Sequence, residues 1–377
     1  MSQQRAGEYP DAALEPVALN LSPGAEYHSR HRQWQGIPSL DRTANGTLWA
    51  TWYSGGKTED ADNYVLVVRS EDGGASWSQP VLVVDPPGRV RAYDSNLWTD
   101  PLGRLWLCWS QSYEEVFDGR AGVWFSRCDD PSASRPCWSA PRRLCHGVML
   151  NKPTVLSTGE WLFPAGLWAP SIWMSAEKPC FTRHADLAGE RFSNVYVTCD
   201  QGETFALRGR ADIPERVFDE HMIIERGDGS LWLLARTAQG IGESFSTDGG
   251  RTWSLGQDSG LGGPNSRFFI RRLDSGNLLL VNHVEYTGRN NLTALLSEDD
   301  GRSWPYRLLL DGRQDVSYPD GLQAPDGTIQ IIYDHERYGA KEILLASFTE
   351  EDVRAGQPAS DQCRLQHLVN RAGEEAS

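Results

Sequence analysis

Ser246-Thr247-Asp248-Gly249-Gly250-Arg251-Thr252-Trp253 reads as a tight turn with an aromatic anchor. Its aspartate can accept hydrogen bonds from turn amides, a glycine supplies the left-handed residue, and the indole packs back under the hairpin. The pattern returns as Ser70-Glu71-Asp72-Gly73-Gly74-Ala75-Ser76-Trp77, as Thr198-Cys199-Asp200-Gln201-Gly202-Glu203-Thr204-Phe205, and as Ser297-Glu298-Asp299-Asp300-Gly301-Arg302-Ser303-Trp304. A degenerate copy with an insertion spans Ser126 to Trp138. A second turn alternates with the first. It reads Asn45-Gly46-Thr47-Leu48-Trp49 in its first copy and Asp228-Gly229-Ser230-Leu231-Trp232 in its fourth. Its glycines are 46, 103, 159, 229, 276 and 327, spaced by 57, 56, 70, 47 and 51 residues. Each permits the positive φ of a hairpin, and each opens a nearly continuous apolar strand, as expected for one buried on both faces.

Six repeats of this length suit four strands each, which is an all-β, six-bladed β-propeller. The S-x-D-x-G-x-T/S-W pattern resembles the Asp-box, or bacterial neuraminidase repeat, a structural turn. One ring over residues 1–377 is expected, with a short polar N-terminal arm. Glu342 to Phe348 is expected to share a blade with an N-terminal strand and so hide both edges. The tail from Ala355 reads as a polar, loose extension.

Composition narrows the function. The 36 Lys and Arg stand against 51 Asp and Glu, a formal net charge of -15, which repels phosphate backbones and excludes nucleic acid as a partner. No apolar run approaches the roughly 20 residues of a membrane helix, so no membrane partner is expected. Met1 to Asn20 carries no apolar h-region, and the reading is cytoplasmic. The seven Cys (108, 128, 137, 145, 180, 199, 363) are scattered without a CxxC pair; they read as free thiols, with no metal and no cofactor expected. The 15 Trp read mainly as core and turn packing, although an indole face also suits a sugar ring.

A propeller gathers side chains from every blade at one end of its axis, so functional groups are expected next to the apolar inner strands. Polar clusters recur there in phase with the repeat. They are Thr58 to Asn63, Arg89 to Asn96, Asn151-Lys152, Asp219-Glu220-His221 with Arg236, Arg267, His283 to Arg289, and Ser317-Tyr318-Pro319-Asp320 with Arg337.

On these residues the chain resembles the sialidase superfamily, from about Tyr27 to Val353. The sharpest stretch is the hairpin from Asp219 to Arg236. The resemblance implies that Glu220 is the base to a tyrosine nucleophile, Tyr318, and that Arg236 and Arg289 bind a substrate carboxylate. A phenol with a pKa near 10 is a poor nucleophile at neutral pH, and a nearby carboxylate can take its proton as it attacks. Sialidases depart in this way from the usual two-carboxylate glycosidase scheme. Their acid/base lies in the loop that here reads Gly55 to Asn63, which points to Glu59, then Asp60. Arg267, His221, His283, Asn151, Lys152, Asp320 and Arg337 are expected around an oligosaccharide or glycoside.

The chain also departs from the family. Where sialidases carry Phe-Arg-Ile-Pro, it reads Gln35-Gly36-Ile37-Pro38, so Gly36 stands in place of the first carboxylate-binding arginine. The expectation is therefore an exo-acting glycoside hydrolase on a terminal sugar that need not be sialic acid. A uronate lyase using His221, Tyr318 and Arg236, and a non-catalytic carbohydrate-binding propeller, are the rival readings.

Overall fold

The computed structural model describes residues 11–113, 119–171, 175–176 and 184–374. Cys180 lies outside them; the other six cysteines are free. No helix among the described residues is long and apolar enough to cross a membrane.

Blade 1 is β1 (Trp34–Arg42), β2 (Leu48–Gly55), β3 (Tyr64–Ser70) and β4 (Leu82–Val84). Blade 2 is β5 (Val90–Thr99), β6 (Leu105–Tyr113), β7 (Val123–Cys128) and β8 (Arg142–Cys145). Blade 3 is β9 (Thr154–Val155), β10 (Trp161–Gly166), β11 (Ser193–Thr198) and β12 (Ala206–Ala211). Blade 4 is β13 (Met222–Glu225), β14 (Leu231–Thr237), β15 (Gly240–Ser246) and β16 (Gln257–Asp258). Blade 5 is β17 (Phe269–Arg272), β18 (Leu278–His283), β19 (Leu292–Ser297) and β20 (Tyr306–Asp311). Blade 6 is β21 (Val316–Gln323), β22 (Ile329–His335), β23 (Glu342–Phe348) and β24 (Arg364–Arg371). Each is an antiparallel sheet in chain order, innermost strand first. This is the six-bladed propeller that the repeats imply.

The six turn glycines join the first strand of each blade to the second. Gly103 and Gly327 hold φ values of 79° and 86°, where any Cβ would be strained. The Asp-box turns join the third strand to the fourth. In the first, Asp72 Oδ1 accepts from the Ser76 amide at 2.9 Å and from the Ser70 hydroxyl at 2.7 Å, while Trp77 Nε1 donates to the Gly74 carbonyl. Asp248 and Asp299 repeat the pattern. Trp34, Trp49, Trp52, Trp106 and Trp109 are fully buried, which places these five indoles in the core.

The ring closes differently from the sequence expectation. Blade 6 takes its outer strand, β24, from the C-terminal segment read as a loose tail, and among the described residues no N-terminal strand joins it. A short helix, α1 (Glu350–Ala355), replaces the Asp-box in this blade, capped by reciprocal bonds between Thr349 and Asp352. Only Val369 of β24 is buried, so an outer strand with one wet face looks polar in sequence. Blades 1 and 6 are tied by side chains instead. Asp320 accepts from the Ser39 hydroxyl at 2.6 Å and the Leu40 amide at 3.0 Å, and Asp334 accepts from the Ile37 amide at 2.8 Å.

Candidate active site

Three inner strands carry a bulge, two residues facing one on the neighbouring strand, a device that re-aims side chains. The register jumps between Gly36 and Ser39 in β1, between Tyr93 and Asn96 in β5, and between Ser317 and Asp320 in β21. The first extra residue is left-handed each time: Ile37 at φ 61°, Asp94 at 45° and Tyr318 at 56°. Ahead of β13, Glu220 does the same at 43°. Each such non-glycine residue costs about 1–3 kcal/mol, a strain the surrounding fold must hold. All four lie nine residues before their turn glycines, so four blades present one residue each at the same level.

Tyr318 and Glu220 meet on a single guanidinium. Arg236 Nη1 donates to the Tyr318 hydroxyl at 3.1 Å and to Glu220 Oε1 at 2.9 Å. The two do not bond directly; Arg236 bridges them. Arg236 is itself held by Asn265 Oδ1 at 2.5 Å and lies over the Phe218 ring. Glu220 Oε2 is buried with no hydrogen-bond partner among the described residues, leaving a lone pair for a proton. Burial, then the Glu220 charge, pushes the Tyr318 phenol above its ordinary value, while Arg236, Arg289 and Arg337 pull it back. That is the electrostatic setting of a phenol that stays protonated until a base takes its proton.

Two more guanidinium groups flank the same ring. Arg289 lies 5.3 Å from the Tyr318 centroid and Arg337 lies 4.9 Å from it. Arg337 occupies the space above Gly36. A Cβ on Gly36 would run into its Cδ and would lie 2.7 Å from its Cγ. The loop after β22 thus brings a guanidinium to the place the first strand leaves open. Arg32 does not reach it, being buried against Trp52 and bonded to Asn370 Oδ1 at 2.7 Å. Arg337 donates to Glu59 Oε1 at 2.8 Å and lies 3.7 Å from Asp334. Asp60 is turned inward, accepting from the amides of Lys57, Thr58 and Asp62. A cavity of about 320 Å³ opens beside this group, lined by Arg289, Ser317, Glu336, Arg337 and Tyr338. A larger one, about 590 Å³, lies at the turn end of the inner strands, and neither Tyr318 nor Glu220 lines it.

Four of the expected substrate contacts sit below the mouth. Lys152 Nζ donates to Asp320 at 2.6 Å and to the carbonyls of Leu40 and Leu97. Arg267, wholly buried, meets Asn151 Oδ1 at 2.7 Å and Asp320 at 3.2 Å. Asn151 in turn donates to the Glu220 carbonyl at 2.6 Å. These groups are spent on the protein and fix the backbone that carries Glu220. His221 and His283 are nearly sealed from solvent and bonded to the carbonyls of Asn194 and Asn290. Burial drives both imidazoles down to about 4, so they are neutral at pH 7.

Sequence reading passed over Asp94. It lies inside the polar stretch Arg89 to Asn96 but was not singled out. The signal that finds it is the count of nine residues back from Gly103, the count that also yields Glu220 and Tyr318. Asp94 is 8 % exposed, and its carboxyl is pushed up to about 7, first by burial and then by the charges of Glu220 and Glu59.

A six-bladed ring with Asp-box turns and this tyrosine, glutamate and arginine cluster is a sialidase-like propeller. The chain belongs to the family defined by the BNR repeat-like domain, which matches residues 46–331. A sialidase of Micromonospora viridifaciens is 25 % identical over 333 residues, covering 79 % of this chain and 49 % of that protein. The chain therefore spans about half the length of this curated relative. A Hadza microbial sialidase superposes with a TM-score of 0.67 at 19 % identity, over 87 % of this chain and 69 % of that one. The intramolecular trans-sialidase of Ruminococcus gnavus gives 0.65 at 16 %, over 89 % and 98 %. A protein of unknown function from Dyadobacter fermentans gives 0.62 at 17 %, over 86 % and 95 %.

Proposed function

We propose that this protein is an exo-acting glycoside hydrolase that removes a terminal, acidic sugar from an oligosaccharide. The observation that carries this reading is the meeting of the Tyr318 hydroxyl and Glu220 on Arg236, with Arg289 and Arg337 beside them. In this reading Tyr318 attacks the anomeric carbon, Glu220 takes its proton, and the guanidinium groups hold the anionic group of the sugar by charge-assisted, forked hydrogen bonds. Glu59, from the loop assigned by resemblance, orients Arg337, and Asp60 shapes the loop. The lyase alternative is weakened by His221, which is buried and already bonded to Asn194. A screen of chromogenic glycosides, sialosides and uronides included, tests the reading. Turnover of at least one acidic glycoside is expected, with a loss of about 10²-fold or more in Glu220→Gln and a similar or larger loss in Tyr318→Phe. Full turnover by Tyr318→Phe would remove the nucleophile. An unsaturated uronate as product would replace hydrolysis by elimination.

A further inference from the structure

We propose that the larger cavity, at the turn end of the inner strands, binds a small carboxylate with an apolar body. Trp98, Ile224 and Phe269 receive the body, and Arg271 receives the charge. The site is separate from Tyr318 and Glu220, so it stands or falls independently of the hydrolase reading.

Shape is the first argument. The inner strand of blade 3, β9, has only two residues, against four in each of β13 and β17. Pro153 stands just before β9 and has no amide with which to lengthen the ladder. A space of about 590 Å³ remains, within the roughly 300–1,000 Å³ of small-molecule sites. Trp98, Met222, Ile224 and Phe269 are buried side chains that line it. Val155, on β9 itself, also lines it and is 39 % exposed. Covering such apolar walls with an apolar body releases water and favours binding.

Charge is the second argument. Lys152, Arg226, Arg271 and Arg272 line the cavity, against the carboxylates of Glu225 and Asp320. Lys152 and Arg267 both meet Asp320, and Asp41 lies 4.0 Å from Lys152, so two cations answer two carboxylates. Arg226 and Arg272 share one carboxylate, Asp300, which leaves one of their charges to answer Glu225. Glu225 is itself held by the Ser157 amide at 2.7 Å and the Ser157 hydroxyl at 2.6 Å. Arg271 is then in surplus. It is exposed, and among the described residues no hydrogen bond or ion pair holds its guanidinium. The carboxylate in its field, Asp41, already accepts from the amides of Arg42 at 2.7 Å and Thr99 at 3.0 Å. A surplus of one cation beside an apolar wall, in a chain of net charge -15, selects a ligand with one anionic group. A guanidinium fork takes a carboxylate through two parallel hydrogen bonds.

Calorimetric titration with 4-phenylbutyrate tests the site, with its neutral amide and acetate as the two controls. The acid should bind the wild type once per chain and raise its melting temperature. The amide lacks the charge and acetate lacks the body, so each should bind at least about tenfold more weakly. Arg271→Gln should weaken the acid by about tenfold or more and leave the amide nearly unchanged. Val155→Trp fills the cavity from an exposed position and should abolish binding of both. Circular dichroism melts of the two variants without ligand check that they are folded, and Arg271→Gln, a change of an exposed side chain, carries the test if Val155→Trp does not fold. Equal affinity for acid and amide, or an Arg271→Gln variant that binds the acid as the wild type does, would overturn the assignment of the charge. Equal affinity for 4-phenylbutyrate and acetate would overturn the apolar subsite. Unchanged binding in a folded Val155→Trp would place the ligand elsewhere, and no saturable binding of the acid by the wild type would remove the site altogether. None of these results bears on glycoside turnover, which reads the other cavity.

Discussion

At Gly36 the missing side chain and the arrival of Arg337 are one event, because a Cβ there would displace the stem of that arginine. The sequence shows the gap and also shows Arg337, but it cannot show that one fills the other, since 301 residues separate them. Gly36→Ala should lower kcat/KM on an acidic glycoside by about tenfold or more, through misplacement of the guanidinium. Arg337→Ala should do at least as much. The double variant should be no worse than Arg337→Ala alone, as expected for two changes acting on one group. Additive losses in that double-mutant cycle would separate the two residues. Tyr318, Glu220, Arg236 and Arg289 were legible as site candidates from the hairpin and turn motifs. Asp94 was not, because an acidic residue in a polar stretch looks like any solvated loop until its phase is counted.

Strands and turns were the most legible level. The Asp-box is a local object, with an aspartate, a glycine and an aromatic closing hydrogen bonds within eight residues, so its sequence carries its geometry. The same local bonds set its acid behaviour. Asp72 and Asp299 are depressed to about 2, first by the hydroxyls of Ser76 and Ser303 and then by the same residues' amides. A depressed carboxylate contributes stability that is present above its unfolded value, about 3.9, and lost as pH falls through about 2. The urea midpoint of the wild type should therefore fall between pH 4 and pH 2. The variant with Asp72→Asn and Asp299→Asn should start lower and lose less over that interval. Parallel curves would mean that these turns do not titrate with unfolding. The outer strand β24 shows where element-level reading fails. Its side chains are mostly wet, so neither an apolar run nor a clean alternation marked it.

Closure of the ring belongs to the whole molecule. Among the described residues no strand is shared between the first and last blades; instead Asp320 of blade 6 gathers Ser39 of blade 1, Lys152 ahead of blade 3 and Arg267 ahead of blade 5 near the axis. Lys152 and Asp320 are almost wholly buried, so removing one partner leaves the other charge poorly compensated. Lys152→Met should cost about 3–5 kcal/mol, read from urea unfolding. Adding Asp320→Asn should recover part of that loss, because the charge left stranded is then gone. A double variant less stable than Lys152→Met would show that Asp320 acts chiefly through Ser39, Leu40 and Arg267.

The residues alone settled how many blades there are, where their turns lie and which family they belong to, because those features depend on bonds between near neighbours in the chain. They did not settle which polar groups face the mouth and which are consumed along the axis. Asn151, Lys152, Arg267 and Asp320 stand in phase with the repeat just as Glu220 and Tyr318 do. Only the folded ring divides them, since a side chain's partner there comes from a different blade. That long-range pairing decides whether a charge is spent inside the protein or left open to a ligand.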